Sequence, residues 1–211
     1  MEETRRALVR MLQDAHAGEL AAAFAYRGHA RSLRRRHPDQ AHAIQVIEAA
    51  EWHHRNRVAE MLEDLGEVPR RRRELLMGAI GRFFGSLCWV SGWFGPMYAA
   101  GRLEAMNVGQ YATARADATT LGLVAMVPDL EAMEVEEQRH EDYFADLVRG
   151  HPLLPLAALL LGWRPTAVEK RKALSRLVGF NPCQGVSPST TRATPISSGS
   201  RGSTTPTSTA R

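Results

Sequence analysis

Apolar residues recur every three to four positions along most of this chain, which is the spacing of one face of an α-helix. In the first stretch, residues 2–35, Leu8, Leu12, Leu20 and Phe24 follow this spacing among strong helix formers. Three comparable stretches follow: one covers residues 40–65, one begins near Met97, and one runs from about 128 to 149. No stretch alternates apolar and polar residues as a strand does. The pattern therefore predicts an all-α fold with four long helices.

Breaks between these stretches place the helices in two hairpins. Pro38 separates the first two helices, Asp39 is predicted to cap the second, and Gly66 to end it. Gly122 and Pro128 separate the third helix from the fourth, which is predicted to stop at His151-Pro152. Since the hairpins follow one another, the chain must travel back along the bundle between them, and we expect a long crossover there.

The crossover has an unusual composition. Four arginines, residues 70–73, precede a stretch from Phe83 to Ala100 that contains no charged residue but includes Trp89 and Trp93. Eighteen uncharged residues reach the lower limit of a membrane span, but three glycines and a proline interrupt them. Such a segment either lies on a membrane surface or covers the outside of the bundle, and both interpretations stay open.

The predicted organisation has three parts. Residues 1–150 form the helical bundle, with the apolar crossover at 70–100. Residues 151–180 form an apolar to amphipathic helical segment that packs on the bundle or lies on a membrane. Residues 181–211 are dominated by Ser, Thr, Pro and Gly and are predicted to be a disordered tail.

Two Glu-x-x-His patterns mark the second and fourth helices, and a lone glutamate followed seven residues later by a tyrosine marks the first and third. The two halves repeat at an offset of 85 to 86 residues. Positions i and i+3 of a helix share a face, so the Glu and His of each pattern point to a common spot. Both hairpins also turn midway between their glutamates, which places the glutamates at one depth. The converging residues are Glu19, Glu51, His54, Glu104, Glu137 and His140.

This set of side chains is what a pair of metal ions requires. Four carboxylates balance the charge of two divalent ions, whereas without metal they would repel each other in a core. Oxygen ligands with imidazole favour two iron ions, with manganese as an alternative. By analogy with carboxylate-bridged sites, Glu51 and Glu137 are predicted to bridge, and Glu19 and Glu104 to be terminal ligands.

Residues beside the predicted ligands receive separate interpretations. Tyr26 and Tyr111 are candidate catalytic residues that hydrogen-bond ligands or carry a radical, unless they are ordinary core tyrosines. Glu136 neighbours Glu137 and is predicted to face elsewhere, as His53 does beside His54. The remaining histidines lack a partner pattern and are predicted to lie at the surface or around the site.

Composition narrows the class of protein. The length of 211 residues and a 44% hydrophobic content suit one domain with a sizeable core. The net charge is +4, but three arginines after Pro182 account for most of it, so no nucleic-acid partner is expected. Cys88 and Cys183 form no paired motif. No apolar run follows the charged N-terminus, so we expect a cytoplasmic protein, which the crossover would attach peripherally to the inner face of the cell membrane.

Residues 5–148 resemble the ferritin-like diiron carboxylate proteins. More narrowly, His16-Ala17-Gly18-Glu19, then Ala22 and Tyr26-Arg27-Gly28, resemble the first-helix signature of the demethoxyubiquinone hydroxylase family. The resemblance implies a ferritin-like antiparallel four-helix bundle of two hairpins with a long apolar crossover, supplied here by residues 75–100. It also implies a peripheral membrane protein that uses two irons and dioxygen to hydroxylate a quinone with a polyprenyl tail. Two positions depart from the family: Ala15 replaces an aspartate and Gln110 replaces a histidine.

Three classes of function follow from these observations. The favoured one is a dioxygen-activating diiron monooxygenase that acts on a hydrophobic substrate, such as a quinone, with an unidentified electron donor. The alternative is a peroxide-scavenging or iron-oxidising protein related to rubrerythrin and ferritin. A ferritin-type site does not use the second histidine, His140, and a rubredoxin-bearing peroxidase needs paired cysteines. The third class is a metal-free helical interaction module, and a homo-oligomer is compatible with each.

Overall fold

The computed structural model describes residues 1–165, which form six helices and no strand. They are α1 (Glu2–Leu33), α2 (Pro38–Asp64), α3 (Arg71–Leu87), α4 (Phe94–Thr120), α5 (Val127–Val148) and α6 (Leu154–Leu161). The all-helical prediction is confirmed for these residues. The helix predicted within 166–180, the tail and Cys183 lie outside the described residues.

The helix ends follow the sequence breaks with one correction. Pro38 occupies the first turn of α2, and Gly66 has a positive φ of 70° just after its end, as expected of a glycine that terminates a helix. The prediction that Asp39 is the N-cap of α2 is wrong. His37 occupies that position without a side-chain cap, and Asp39 lies in the first turn, where its charge favours the positive end of the helix dipole.

Neighbouring helices pack as a bundle. α1 packs along α2 and along α3, α4 packs along α5, α1 also contacts α4, and α2 contacts α5. Two contacts show that α1 and α2 are antiparallel: Arg5 near the start of α1 donates a hydrogen bond to the Leu65 carbonyl at the end of α2, whereas Arg27 near the end of α1 pairs with Glu48. Gln110 of α4 donates a hydrogen bond to the Met11 carbonyl of α1. One end of the core is an apolar cluster that includes Leu12, and the other includes Phe144. The polar centre described below lies between them.

The crossover contains a helix that the sequence analysis did not predict. α3 runs beside α1, with Arg73 against Asp14 near its start and Gly85 against Gly28 near its end. A Cβ on Gly81 would overlap the backbone of Ala21. The glycines thus permit a close backbone approach that larger residues would prevent. α3 therefore carries the chain back along α1, as the two hairpins require.

The close packing of α3 turns its large apolar side chains outward. Leu75 is 69% and Phe83 63% exposed, and Leu76, Phe84 and Leu87 of the same helix are exposed as well. Trp89 and Val90, directly after the helix, are also exposed. We call these seven residues the α3 apolar face. These seven residues do not form part of the core. Trp93, Phe94, Met97 and Tyr98, later in the same apolar stretch, do pack in or against the core, so the covering role predicted for the crossover applies to that part of it. No helix among residues 1–165 is long and apolar enough to cross a membrane.

The segment after α5 returns to the bundle, where Leu154 and Ala157 pack against the core and Trp163 is buried in it. Trp163 is buried in the cluster that contains Tyr98, and a Cβ on Gly101 would overlap its ring. Its indole Nε1 donates a hydrogen bond of 3.2 Å to Glu141, and the Tyr98 hydroxyl donates one of 2.8 Å to the Trp163 carbonyl. The five leucines at 153, 156 and 159–161 stay exposed.

Candidate metal centre

The six predicted ligands meet in the middle of the bundle as two overlapping groups. Within each group, one ligand atom per residue lies within 4.8 Å of the others. The first metal position consists of Glu19, Glu51, His54 and Glu137, and the second of Glu51, Glu104, Glu137 and His140. Glu51 and Glu137 belong to both, which is the arrangement expected of bridging ligands.

Local helix geometry explains the convergence. Glu51 and His54 lie one turn apart on α2, and Glu137 and His140 lie one turn apart on α5, so each pair projects from one helix face. α1 and α4 add one glutamate each. All six side chains are buried, and His140 is the least so, at 8% exposed.

Several atoms at the centre have no partner. One oxygen of Glu19, one of Glu104 and both of Glu51 are buried without a hydrogen bond, and so is Nδ1 of His140. Orphaned buried polar atoms are rare in folded proteins because leaving them unpaired is costly. Five of them facing one another are explained if metal ions occupy the space between them, so the residues fit a dimetal centre.

The charges of the metal-free centre also favour a bound cation. Burial, followed by repulsion from Glu137, raises the pKa of Glu51 and of Glu104 well above its usual range. Burial likewise raises the pKa of Glu19. Glu137 is the exception: burial opposes its ionisation, but its interactions with Glu104, His140 and His54 lower its pKa. Two or more cations would replace the protons that these carboxylates otherwise retain.

The two tyrosines bind the terminal glutamates crosswise. Tyr26 of α1 donates a hydrogen bond to Glu104 of α4, and Tyr111 of α4 donates one to Glu19 of α1. Burial, then the facing carboxylate, raises the pKa of each phenol well above 10, so both remain donors. Tyr26 and Tyr111 thus form hydrogen bonds to candidate ligands, which is one of the two roles predicted for them. A catalytic role for either stays a prediction.

Glu136 contacts a histidine of the centre, so the prediction that it faces away from the site is wrong. Its Oε2 lies 3.0 Å from Nε2 of His54, while Nδ1 of His54 lies 3.0 Å from Oε1 of Glu137. Burial opposes the charge on His54, but these two carboxylates raise its pKa to about 10. Sequence spacing on one helix did not reveal this contact because it crosses from α5 to α2.

The other histidines do not join the centre. His53 is exposed, as predicted. His16 and His29 are buried rather than at the surface: Nδ1 of His16 lies 3.2 Å from Glu74 of α3, and burial lowers the pKa of His29 to about 4. Both therefore belong to the packed interior, and neither is part of the two groups of candidate ligands.

The two departures from the family pattern have local explanations. Ala15 is buried in the core, and the neighbouring Asp14 forms an ion pair of 2.7 Å with Arg73 of α3. Gln110 donates a hydrogen bond of 3.3 Å to the carbonyl of Met11, so this position links α4 to α1.

Part of the chain is similar to a known protein family. Residues 6–108 match the family described as Ubiquinone biosynthesis protein COQ7. No curated protein matches the chain. The matched region contains Glu19, Glu51, His54 and Glu104, while Glu137 and His140 complete the centre from beyond it. Through residues 6–108, just under half of its length, the chain is therefore similar to the COQ7 family, the demethoxyubiquinone hydroxylase family of ferritin-like diiron proteins.

Proposed function

We propose that this protein is a diiron monooxygenase that hydroxylates a hydrophobic, quinone-type substrate at a membrane surface. The observation that carries the proposal is the pair of overlapping buried groups, each with three carboxylates and one imidazole. The similarity of residues 6–108 to a family described by ubiquinone biosynthesis supports a quinone as the substrate. The order of the helices supports the ferritin-like arrangement, in which two hairpins flank the centre and α3 forms the crossover.

The residues of the centre suit iron. Glu19 and His54 would hold one ion, Glu104 and His140 the other, and Glu51 and Glu137 both. Four carboxylates neutralise two divalent ions, which keeps the buried site free of net charge. When bound, the two irons supply the electrons and Lewis acidity that dioxygen activation needs.

The protein's own contribution is to orient these ligands and keep water from them. Tyr26 and Tyr111 fix the outer glutamates, and Glu136 fixes the ring of His54. Apolar clusters close the core on both sides of the centre. The overall reaction inserts one oxygen atom into the substrate, and an external donor provides two electrons and two protons to reduce the other atom to water.

The α3 apolar face supports action at a membrane. Large apolar patches on a protein surface mark interaction sites, and an apolar helix face beside basic residues is typical of helices that lie in the bilayer interface. Arg70 to Arg73 precede the face and are exposed, so they could contact anionic headgroups. We place the protein in the cytoplasm, on the inner face of the cell membrane.

Metal analysis and turnover test the function. Protein purified without oxygen is expected to contain two irons per chain and to consume one dioxygen per hydroxylated quinone when a reductant is supplied. Glu51→Ala should lose both the iron and the turnover, because Glu51 belongs to both metal positions. The control Glu60→Ala removes an exposed carboxylate of the same helix and should retain both. Hydrogen-peroxide consumption without any hydroxylated product would instead support the peroxide-scavenging alternative.

Vesicle binding tests the membrane surface separately. The double variant Phe83→Asp, Phe84→Asp should abolish flotation with anionic vesicles, since charged residues would replace the exposed aromatic rings of α3. Val124→Asp changes an apolar residue between α4 and α5 that is more exposed than either phenylalanine, and it serves as the control. If the double variant bound vesicles as strongly as Val124→Asp, that result would contradict a membrane role for α3.

A further inference from the structure

The two metal positions have the same ligands but different surroundings. Each offers three carboxylates and one imidazole, so their donor sets alone predict equal affinity. The hydrogen bonds to the outer glutamates are also equivalent, because one tyrosine serves each. Any difference in affinity must therefore come from groups around the histidines and the shared carboxylates.

His54 is held on both sides of its ring. Nδ1 faces Glu137, and Nε2 lies 3.0 Å from the carboxylate of Glu136. When Nδ1 binds a metal, the carboxylate accepts the hydrogen bond that Nε2–H donates. Such a partner fixes the tautomer and orientation of a ligating histidine and raises its basicity.

His140 has no such support. Its Nδ1 lies 3.5 Å from Glu51 and 3.8 Å from Glu137, and no acid among residues 1–165 forms an ion pair with its Nε2. The internal repeat gives the reason: an offset of 86 residues places Ala50 where the second half has Glu136. A methyl group cannot accept a hydrogen bond.

The shared carboxylate Glu137 is also unsymmetrical. Its Oε1 faces His54, whereas its Oε2, the oxygen nearer His140, accepts a hydrogen bond of 3.4 Å from the Asn107 amide. A donor on Oε2 draws charge from the oxygen that serves the second metal position. The missing carboxylate beside His140 and the hydrogen bond from Asn107 both weaken the second metal position relative to the first.

We infer that the first metal position binds metal more tightly than the second and fills before it, with Glu136 as the positioning residue that makes the difference. The inference rests on the proposed function, since it presupposes that the centre binds two ions. Outer partners of ligating histidines typically change metal affinity about 10–100-fold, so a comparable ratio is expected between the two dissociation constants.

Anaerobic titration of the metal-free full-length chain with Fe(II), against a competing chelator, measures both constants. The wild type should bind in two steps, with constants that differ about 10–100-fold. His140→Ala should retain the tight step and His54→Ala should lose it, which locates the tight step at the first metal position.

Two further variants test the role of Glu136 in opposite directions. Glu136→Ala should weaken the tight step about 10–100-fold and leave the weak step unchanged. Ala50→Glu should tighten the weak step, because it supplies the missing carboxylate, and this gain cannot result from damage to the fold. Glu134→Ala is the matched control: it removes a carboxylate from the same helix that pairs with Arg115 instead of a ligand.

Equal constants in the wild type would overturn the inference while two bound irons still supported the proposed function. An equal loss at both positions in Glu136→Ala would overturn it as well, since that result indicates a general structural role. Absence of Fe(II) binding would overturn both the inference and the proposed function.

Discussion

At the scale of single residues, the buried acids oppose folding unless a cation joins them. Burial raises the pKa of Glu51, and Glu137 and Glu19 raise it further by repulsion. Neither oxygen of Glu51 has a hydrogen-bond partner. A residue that costs stability in this way is best explained by function.

Glu51→Gln should therefore stabilise the metal-free protein while it weakens metal binding. If removal of the buried acid raises the free energy of unfolding by about 1 kcal/mol, the melting temperature rises by about 2–4 °C in a protein of this size. Thermal unfolding in chelator measures the effect. Glu48→Gln is the control on the same helix, because Glu48 forms an ion pair with Arg27 and its loss should not raise the melting temperature. A lower melting temperature for Glu51→Gln would contradict the expectation.

Tyr26→Phe tests the contact between a tyrosine and a ligand. The hydroxyl donates to Glu104, whereas the ring stacks on Phe144 at 5.9 Å, so phenylalanine should keep the packing and lose only the hydrogen bond. We expect about 10-fold weaker binding at the second metal position, to which Glu104 belongs. Tyr143→Phe changes a partly buried tyrosine that also packs on Phe144 and should leave Fe(II) binding unchanged. Equal binding by wild type and Tyr26→Phe would assign Tyr26 to the core alone.

At the scale of helices, the position of α3 depends on glycine. Gly78, Gly81 and Gly85 are its buried residues, and they contact α1 at the level of Ala21 to Gly28. Intrinsic propensity disfavours three glycines in one helix. Close packing against α1 compensates, and it leaves the aromatic residues outside.

Gly81→Ala should destabilise the protein by about 1–3 kcal/mol, because the added methyl group would overlap the backbone of Ala21 and force the helices apart. Gly109→Ala is the matched control, since nothing lies within 4 Å of the corresponding position on α4. That variant should gain about 0.5–1 kcal/mol from reduced backbone freedom. Urea unfolding compares the two, and a neutral Gly81→Ala would show that α3 does not pack so closely in solution.

At the scale of the whole molecule, metal and protons compete for one charged centre. Glu19, Glu51 and Glu104 have raised pKa values, so these groups destabilise the metal-free fold as pH rises from 4.5 through their folded pKa values. His54 stabilises the fold fully below pH 6.5 and loses that contribution as pH rises through its folded pKa of about 10. Glu137 acts in the opposite direction, because its lowered pKa stabilises the fold above pH 4.5 and that contribution is lost as pH falls. Metal binding releases protons and strengthens with rising pH.

The stabilisation by metal should therefore increase between pH 6 and pH 8. We expect the difference in melting temperature between Mn(II)-loaded and chelator-treated protein to widen over this range, as the metal-free form loses stability from His54 and the acids. Thermal unfolding at both pH values, with and without metal, checks this. A difference that stays constant or narrows would contradict the competition.

Local rules in the sequence were sufficient for the four long helices and for the convergence of the six candidate ligands. The spacing of Glu51 and His54 and of Glu137 and His140 places each pair on one helix face whatever surrounds it. Pro38 and Gly122 fix where the hairpins turn, and the turns fix the depth at which the glutamates meet. All six predicted side chains accordingly converge in the structure. The repeat also pairs Ala50 of the first half with Glu136 of the second. The sequence alone does not show that this difference lies beside a histidine of the centre.

Contacts between distant segments were decided only by the tertiary structure. α3 has weak local signals, and its orientation depends on a backbone approach to α1 that no periodicity encodes. Glu136 reaches His54 across two helices, and Tyr26 and Tyr111 each serve the glutamate of the opposite helix. The sequence by itself determined which side chains each helix presents, because that depends on spacing along one chain segment. The tertiary structure decided which partners they meet, because side-chain hydrogen bonds between helices depend on relative positions of a few ångströms.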